Sequence, residues 1–511
     1  MDWNKLLSTK RISDFCDLTN DKSSQFKDPR SEFERDCDQI FYSYPFRRLQ
    51  DKTQVIPFPE FAFVHTRLTH SLEVSTIGRS LGKMVFELIK GDLADKSITS
   101  SDLGALVAAS CFAHDIGNPP FGHSGEASIS IFFDGGPRMV DLNFPSYCYF
   151  DHQNNDWKIL DYNNSEDVNI DIALENSKYY YDLNRYEGNA NGFRILTNNC
   201  GKGINPTYAL IGAFSKYPRE SFIEEDLDYS YDRKEAPKQL AKYGFFQADK
   251  EIFSAIAEEL GLVKISKNPK DLAFSRHPLS YLMEAADDIA YQMIDFEDGC
   301  RLDIIHYHEN YNKITPREVL LKIAKIDTRF SEEHLNLLCK DGDHKSELSY
   351  LRSSVINVLT HLCYEVFKNN YNSIMSGNFT KSLIDCIENK IVTDALKYMK
   401  DLIKEKVYNY VPVLESEAAG FTILKGLIES FARTAKICVS CGDIKNAEEK
   451  KIESLLPGEY RPNSEIEDGI IRPIEIYNRY LKILDFISGM TDKYAFDKYR
   501  KIHGIVMPGV K

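Results

Sequence analysis

Apolar positions in this chain recur mainly at helical spacing. From Leu68, the residues Leu72, Ile77, Leu81, Met84, Val85 and Leu88 follow at spacings of three to five, which puts them on one side of a helix. Residues 103–113, LGALVAASCFA, are small and apolar nearly all round, the pattern of a buried helix. Residues 279–296 carry Leu279, Met283, Ala286, Ile289, Ala290, Met293 and Phe296 at packing intervals, and residues 317–327, 349–367, 382–405 and 474–487 also read as helices. Few segments alternate with period two. The predicted fold class is therefore all-α, with minor β and long loops. Two stretches break the pattern. Residues 134–185 are rich in Asp, Asn and Tyr, and residues 224–237 are acidic; both read as surface loops or insertions. Without an internal repeat or clear linker, the chain divides into a core over 1–310, containing the insertion at about 134–185, and a helical region over 311–511 packed onto it.

Composition narrows the function more than the fold. The 63 Lys and Arg against 77 Asp and Glu leave a net charge of −14, a poor match for coating nucleic acid through the whole surface. A local basic pocket remains compatible with that balance. The 11 cysteines include one CxxC, Cys438 and Cys441, with no second pair to complete a zinc site, so reduced thiols are expected. No apolar stretch reaches membrane-spanning length, and MDWNKLLSTKRISDF carries no signal-peptide core; the expected location is the cytoplasm.

Candidate chemistry gathers around four histidines, His65, His70, His114 and His123. His114 and Asp115 end the apolar 103–113 helix, with Gly117 expected to supply the backbone conformation that stops it. Ionisable groups at the end of a buried helix are costly unless paired, and a divalent cation would pair them. His70 offers a second imidazole, and Asp287 and Asp288 offer further carboxylates. Two imidazoles and two carboxylates with open positions suit Mn2+, Mg2+, Fe2+, Co2+ or Ni2+ better than a closed zinc site. A lone HD dipeptide or a lone His would more often be structural, so the weight falls on the set. His123 and Glu126 stand at i and i+3, where they touch if that segment is helical.

Seven segments together resemble the HD-domain metal-dependent phosphohydrolases, and within them the deoxyguanosinetriphosphate triphosphohydrolase family. They are RRLQDKTQV (47–55), RLTHSLEV (67–74), HDIGNPPFGHSGE (114–126), YEGNANGFRILT (186–197), FSKYPRE (214–220), YLMEAADDIAYQMIDFEDG (281–299) and FISGMTDKYA (486–495). The resemblance implies an HD-domain fold with His70, His114, Asp115 and one of the 287–288 pair on the metal. The resemblance places the metal ligand four residues before a tyrosine, and Asp287 stands so before Tyr291. The resemblance also gives His123 and Glu126 the acid–base role. It implies that Arg67, Asn189, Lys216, Tyr217 and Lys242 bind phosphates, and that Gln54, Tyr291 and Asp295 contact the sugar. Asp287, Tyr291 and Asp295 share one helical stripe.

The implied reaction is metal-dependent hydrolysis of dGTP to deoxyguanosine and triphosphate, a means of dNTP pool control. A broad dNTP triphosphohydrolase, another HD-domain nucleotide phosphohydrolase, or a non-enzymatic nucleotide sensor or single-stranded-DNA-binding protein are the alternatives. Members of the family are homo-oligomers, commonly hexamers, and some respond to single-stranded DNA. Both are implied expectations for this chain, as is Mn2+ or Mg2+ as the metal.

Overall fold

In the computed structural model, the described residues are 1–16, 28–57, 64–134, 146–151, 156–161, 178–198, 204–223, 242–311, 314–338, 344–435, 447–461 and 473–506. The elements that carry the site are α1 (Arg67–Ile89), α2 (Ser100–Ala113), α3 (Gly122–Asp134), the strands β1 (Ser146–Asp151) and β2 (Asp156–Asp161), α4 (Gly188–Thr197) and α5 (Tyr208–Phe214). They continue as α6 (Pro278–Arg301), α7 (Pro316–Ala324), α8 (His344–Asn369), α9 (Lys390–Leu402), α10 (Val411–Ala432), α11 (Pro473–Ser488) and α12 (Asp492–Ile502). The fold is all-α. Its minor β component among the described residues is one antiparallel hairpin, β1 with β2, inside the predicted insertion. No helix among the described residues is long and apolar enough to cross a membrane.

The apolar pattern explains the packing. α2 has Leu103, Leu106, Val107, Ala109, Cys111 and Ala113 fully buried, because α1 and α6 both pack on it. In α1 the buried positions are Val74, Ile77, Leu81, Val85 and Ile89, while Leu72 is exposed, a departure from the one-sided reading. α6 opens with His277 accepting from Leu279 N–H (3.1 Å) and Pro278 in the first turn. Its Ala285, Ala286 and Ala290 are fully buried and let neighbouring helices approach closely.

Two apolar clusters result. One joins α1, α2, α5, α6, α8 and α9. The second joins α3, α10 and α11 through Ile129, Leu424, Leu427, Tyr477 and Ile487. The segment from His114 to Gly122 lies where these clusters meet.

Three expectations change in the structure. The predicted 382–405 helix is shorter: α9 covers Lys390–Leu402 and passes into a π-helical turn, Ile403–Val407. Gly117 does not adopt positive φ; Phe121 and Gly122 do, at 62° and 56°. Gly117 is needed for another reason, since a Cβ there would collide with the backbone of Gly188 and Gly192. Cys37, Cys111, Cys300, Cys363 and Cys386 are free, but Cys16 is disulfide-bonded, a pairing for which spacing carries no signal. The CxxC, the acidic 224–237 stretch and most of 134–185 lie outside the described residues.

Candidate active site and metal cradle

Four side chains from three segments far apart in sequence converge at the junction of α1, α2 and α6. His70 Nε2 lies 3.1 Å from Asp287 Oδ1 and 3.3 Å from His114 Nε2. His114 Nε2 is 3.6 Å from Asp115 Oδ1 and 3.5 Å from Asp287 Oδ1. His70, His114 and Asp115 each place a ligand atom within 4.8 Å of the others. The donor set fits a divalent cation. His114 Nδ1 faces Cys111 O at 2.7 Å, so Nδ1 carries the proton and Nε2 presents a lone pair. That lone pair looks at carboxylate oxygens and a second imidazole nitrogen, an arrangement of acceptors that a cation relieves. Burial works to raise the Asp115 carboxyl, but Arg67 and the two imidazoles outweigh it and hold it down to about 2. Asp287 is likewise held low against burial, by His114, His70 and Lys216.

The cradle floors a cavity of about 360 Å³. Arg67, buried in the first turn of α1, donates from Nη1 to Asp115 Oδ2 at 2.7 Å. Its Nε is buried without a partner, a donor free for an anion. Lys216 Nζ sits 3.6 Å from Glu284 and 3.9 Å from Asp287, above the Tyr217 ring. Asn189 Nδ2 and Lys242 Nζ share Glu187 Oε1, at 2.6 and 3.2 Å. All of these but Glu187 and Glu284 line the cavity, as do His123 and Glu126. A second compartment of about 230 Å³ adjoins it, and Gln54, Arg67, His123 and Tyr291 line both. Gln54 Oε1 is buried there with no partner, an acceptor awaiting a donor.

No family model matches the chain. A deoxyguanosinetriphosphate triphosphohydrolase-like protein of Synechocystis sp. is 34% identical over 510 residues, spanning 99% of this chain and 100% of that protein. One of the same name from Listeria innocua is 32% identical over 526 residues, with 99% and 100% covered. A deoxyguanosinetriphosphate triphosphohydrolase of Yersinia pestis is 30% identical over 503 residues, covering 92% of this chain and 93% of its own. The chain belongs to the deoxyguanosinetriphosphate triphosphohydrolase family.

Asp295 is the one candidate that lines neither compartment. It is buried behind Tyr408, whose hydroxyl donates to Asp295 Oδ2 at 2.9 Å and meets the Tyr291 hydroxyl at 2.5 Å. Burial lifts the Asp295 carboxyl to about 7, against the hydrogen bond from Tyr408. Tyr408 had no sequence signal, because a π-turn delivers it. Asp288, the carboxylate not favoured as a ligand, also lines the cavity, and burial lifts its carboxyl to about 7. The His123–Glu126 contact is also absent as a hydrogen bond among the described residues. Glu126 Oε1 accepts from Gly188 N–H at 2.9 Å, while His123 is exposed to the cavity. The helix geometry brings them near, but the α4 N-terminus offers Glu126 a better donor. Desolvation within the cavity first, then the nearby charges of Lys242 and Arg67, lowers the His123 pKa and favours the neutral imidazole.

Two residues outside the predicted set anchor the loop that presents His123. Asp492, at the start of α12, accepts from Thr53 N–H (2.8 Å) and Phe121 N–H (3.0 Å). Fully buried Lys52 donates to Asn118 O and to Ser488 O (2.9 Å). Phe121 needs such support, since positive φ costs a bulky residue about 1–3 kcal/mol. Gly122 follows because a Cβ there would collide with Arg67 Nη2.

Proposed function

We propose that this chain hydrolyses dGTP to deoxyguanosine and inorganic triphosphate. The observation that carries the reading is the convergence of His70, His114, Asp115 and Asp287 beneath a cavity lined by Arg67, Lys216 and Lys242. These four would hold a divalent cation, Mn2+ or Mg2+ on the chemistry of the donors, which supplies charge neutralisation and Lewis acidity at the phosphate when bound. Arg67, Lys216, Lys242, Tyr217 and Asn189 bind the phosphate oxygens and neutralise charge as it develops. His123, neutral and facing the cavity, takes a proton from the attacking water; Glu126 steadies the wall beside it through Gly188. The new bond forms between water oxygen and the α-phosphorus. The bond to the 5′ oxygen breaks, and that oxygen leaves protonated as deoxyguanosine, with triphosphate intact.

The second compartment takes the nucleoside. The unpartnered Gln54 Oε1 accepts from a sugar hydroxyl, and Tyr291, braced by Tyr408 and Asp295, forms the wall that a 2′ hydroxyl would crowd. Glu417 is the one carboxylate lining this compartment among the described residues. A carboxylate accepts two parallel hydrogen bonds from the N1–H and 2-amino group of guanine, which favours guanine over adenine. Incubation of the metal-loaded protein with each dNTP and NTP, followed by separation of products, tests the reading. Deoxyguanosine with triphosphate is the expected pair; dGMP with pyrophosphate overturns it.

A further inference from the structure

A second cluster of metal-ligating groups stands outside the cavity. His308 lies in the turn after α6, and His344 and Glu347 lie one helical turn apart at the start of α8. Each offers a ligand atom within 4.8 Å of the other two. His308 Nε2 is 3.0 Å from His344 Nδ1, and the rings meet edge to face with centroids 4.3 Å apart. Tyr307 also packs edge to face against His308, with centroids 4.9 Å apart at 74°. Glu347 is buried, and Arg317 on α7 fixes its carboxylate at 2.6 Å. Both imidazoles are open to solvent, so an ion has a way in.

We propose that His308, His344 and Glu347 form a second metal site, for a borderline divalent cation such as Zn2+, that ties the turn after α6 to the start of α8. Two imidazoles and a carboxylate are a zinc-type donor set, with a fourth position for water. The 3.0 Å between the two nitrogens is close to the roughly 3.3 Å edge of a tetrahedron with bonds of about 2.0 Å. The site is structural. Asp287 and Arg301 are separated by about 21 Å along α6, and the cluster lies beyond Arg301.

The test uses the full chain, stripped with chelator and titrated with Zn2+ alone in competition with a chromophoric chelator. His308→Ala and His344→Ala are each expected to lose one tight equivalent, or to bind it at least tenfold more weakly. Both residues are exposed, so the variants fold, and nucleotide hydrolysis should stay within twofold of the parent protein. In parallel, His70→Ala should keep the second equivalent, which separates this site from the cradle. Unchanged zinc binding in either His308→Ala or His344→Ala overturns the site. The pair is then a simple imidazole–imidazole hydrogen bond.

Discussion

The two adjoining compartments are built on opposite plans. The larger one is a dense array of charge: two imidazoles and two carboxylates at the floor, cations above, each held by a partner of opposite sign. The smaller one carries less charge: Arg67, shared with the first, and Glu417 stand among Gln54, Tyr291, Tyr408 and Val413. Low-dielectric burial makes charge at the floor worth several kcal/mol in a reaction that spreads negative charge over phosphate oxygens. Walls of mostly uncharged side chains instead select by shape and by unpaired hydrogen bonds. On the proposed function, chemistry and selection occupy different ends of one cavity, joined by Arg67, His123, Gln54 and Tyr291.

Removing a cradle ligand should have the largest effect. His114→Ala or Asp287→Ala is expected to lower hydrolysis by about 10³-fold or more and to remove the bound metal, read by elemental analysis beside the rate. His123→Ala should cost about 10²- to 10⁴-fold in rate with metal content unchanged, which separates proton transfer from metal binding. At the less charged end, Glu417→Ala should lower the dGTP-to-dATP ratio of kcat/KM by about 10- to 100-fold, with little change in kcat for dATP. Equal loss for both substrates would dissolve the division between the compartments. Tyr408→Phe leaves Asp295 without its donor and frees Tyr291; about a tenfold fall in kcat/KM is expected, with weaker rejection of GTP.

The smallest effect on activity belongs to an ion pair behind the cradle. His65 bridges Asp298 (2.9 Å) and Glu73 (3.3 Å). Burial works to lower its pKa, but the two carboxylates raise it to about 9. A raised pKa means the stabilisation is fully present below the unfolded value, about 6.5, and is lost as pH climbs through about 9. Unfolding free energies of the parent and His65→Gln should differ by on the order of 2 kcal/mol at pH 6 and converge by pH 10. A constant difference would remove the charge from the account.

Much of this was legible because the information is local. The period of apolar residues placed α1, α2, α6 and α8, and the HD pair sits at the end of α2 as expected. Residues that serve through distant partners left weaker traces. Tyr408 was hidden by the reading of 382–405 as a continuous helix, and Asp492 and Lys52 act on the backbone of segments hundreds of positions away. The partner of Glu126 was misjudged for the same reason: periodicity says which side a residue occupies, not which donor reaches it first.

Sequence alone determined the helical class, the family and the residue types of the site, since these follow from short-range periodicity and from motifs whose order is preserved along the chain. Tertiary structure decided which groups pair, that Asp295 stands behind a tyrosine, and that Glu126 faces Gly188 rather than His123. Those outcomes depend on burial and on which donor lies nearest in space, and both are set only when separate helices meet.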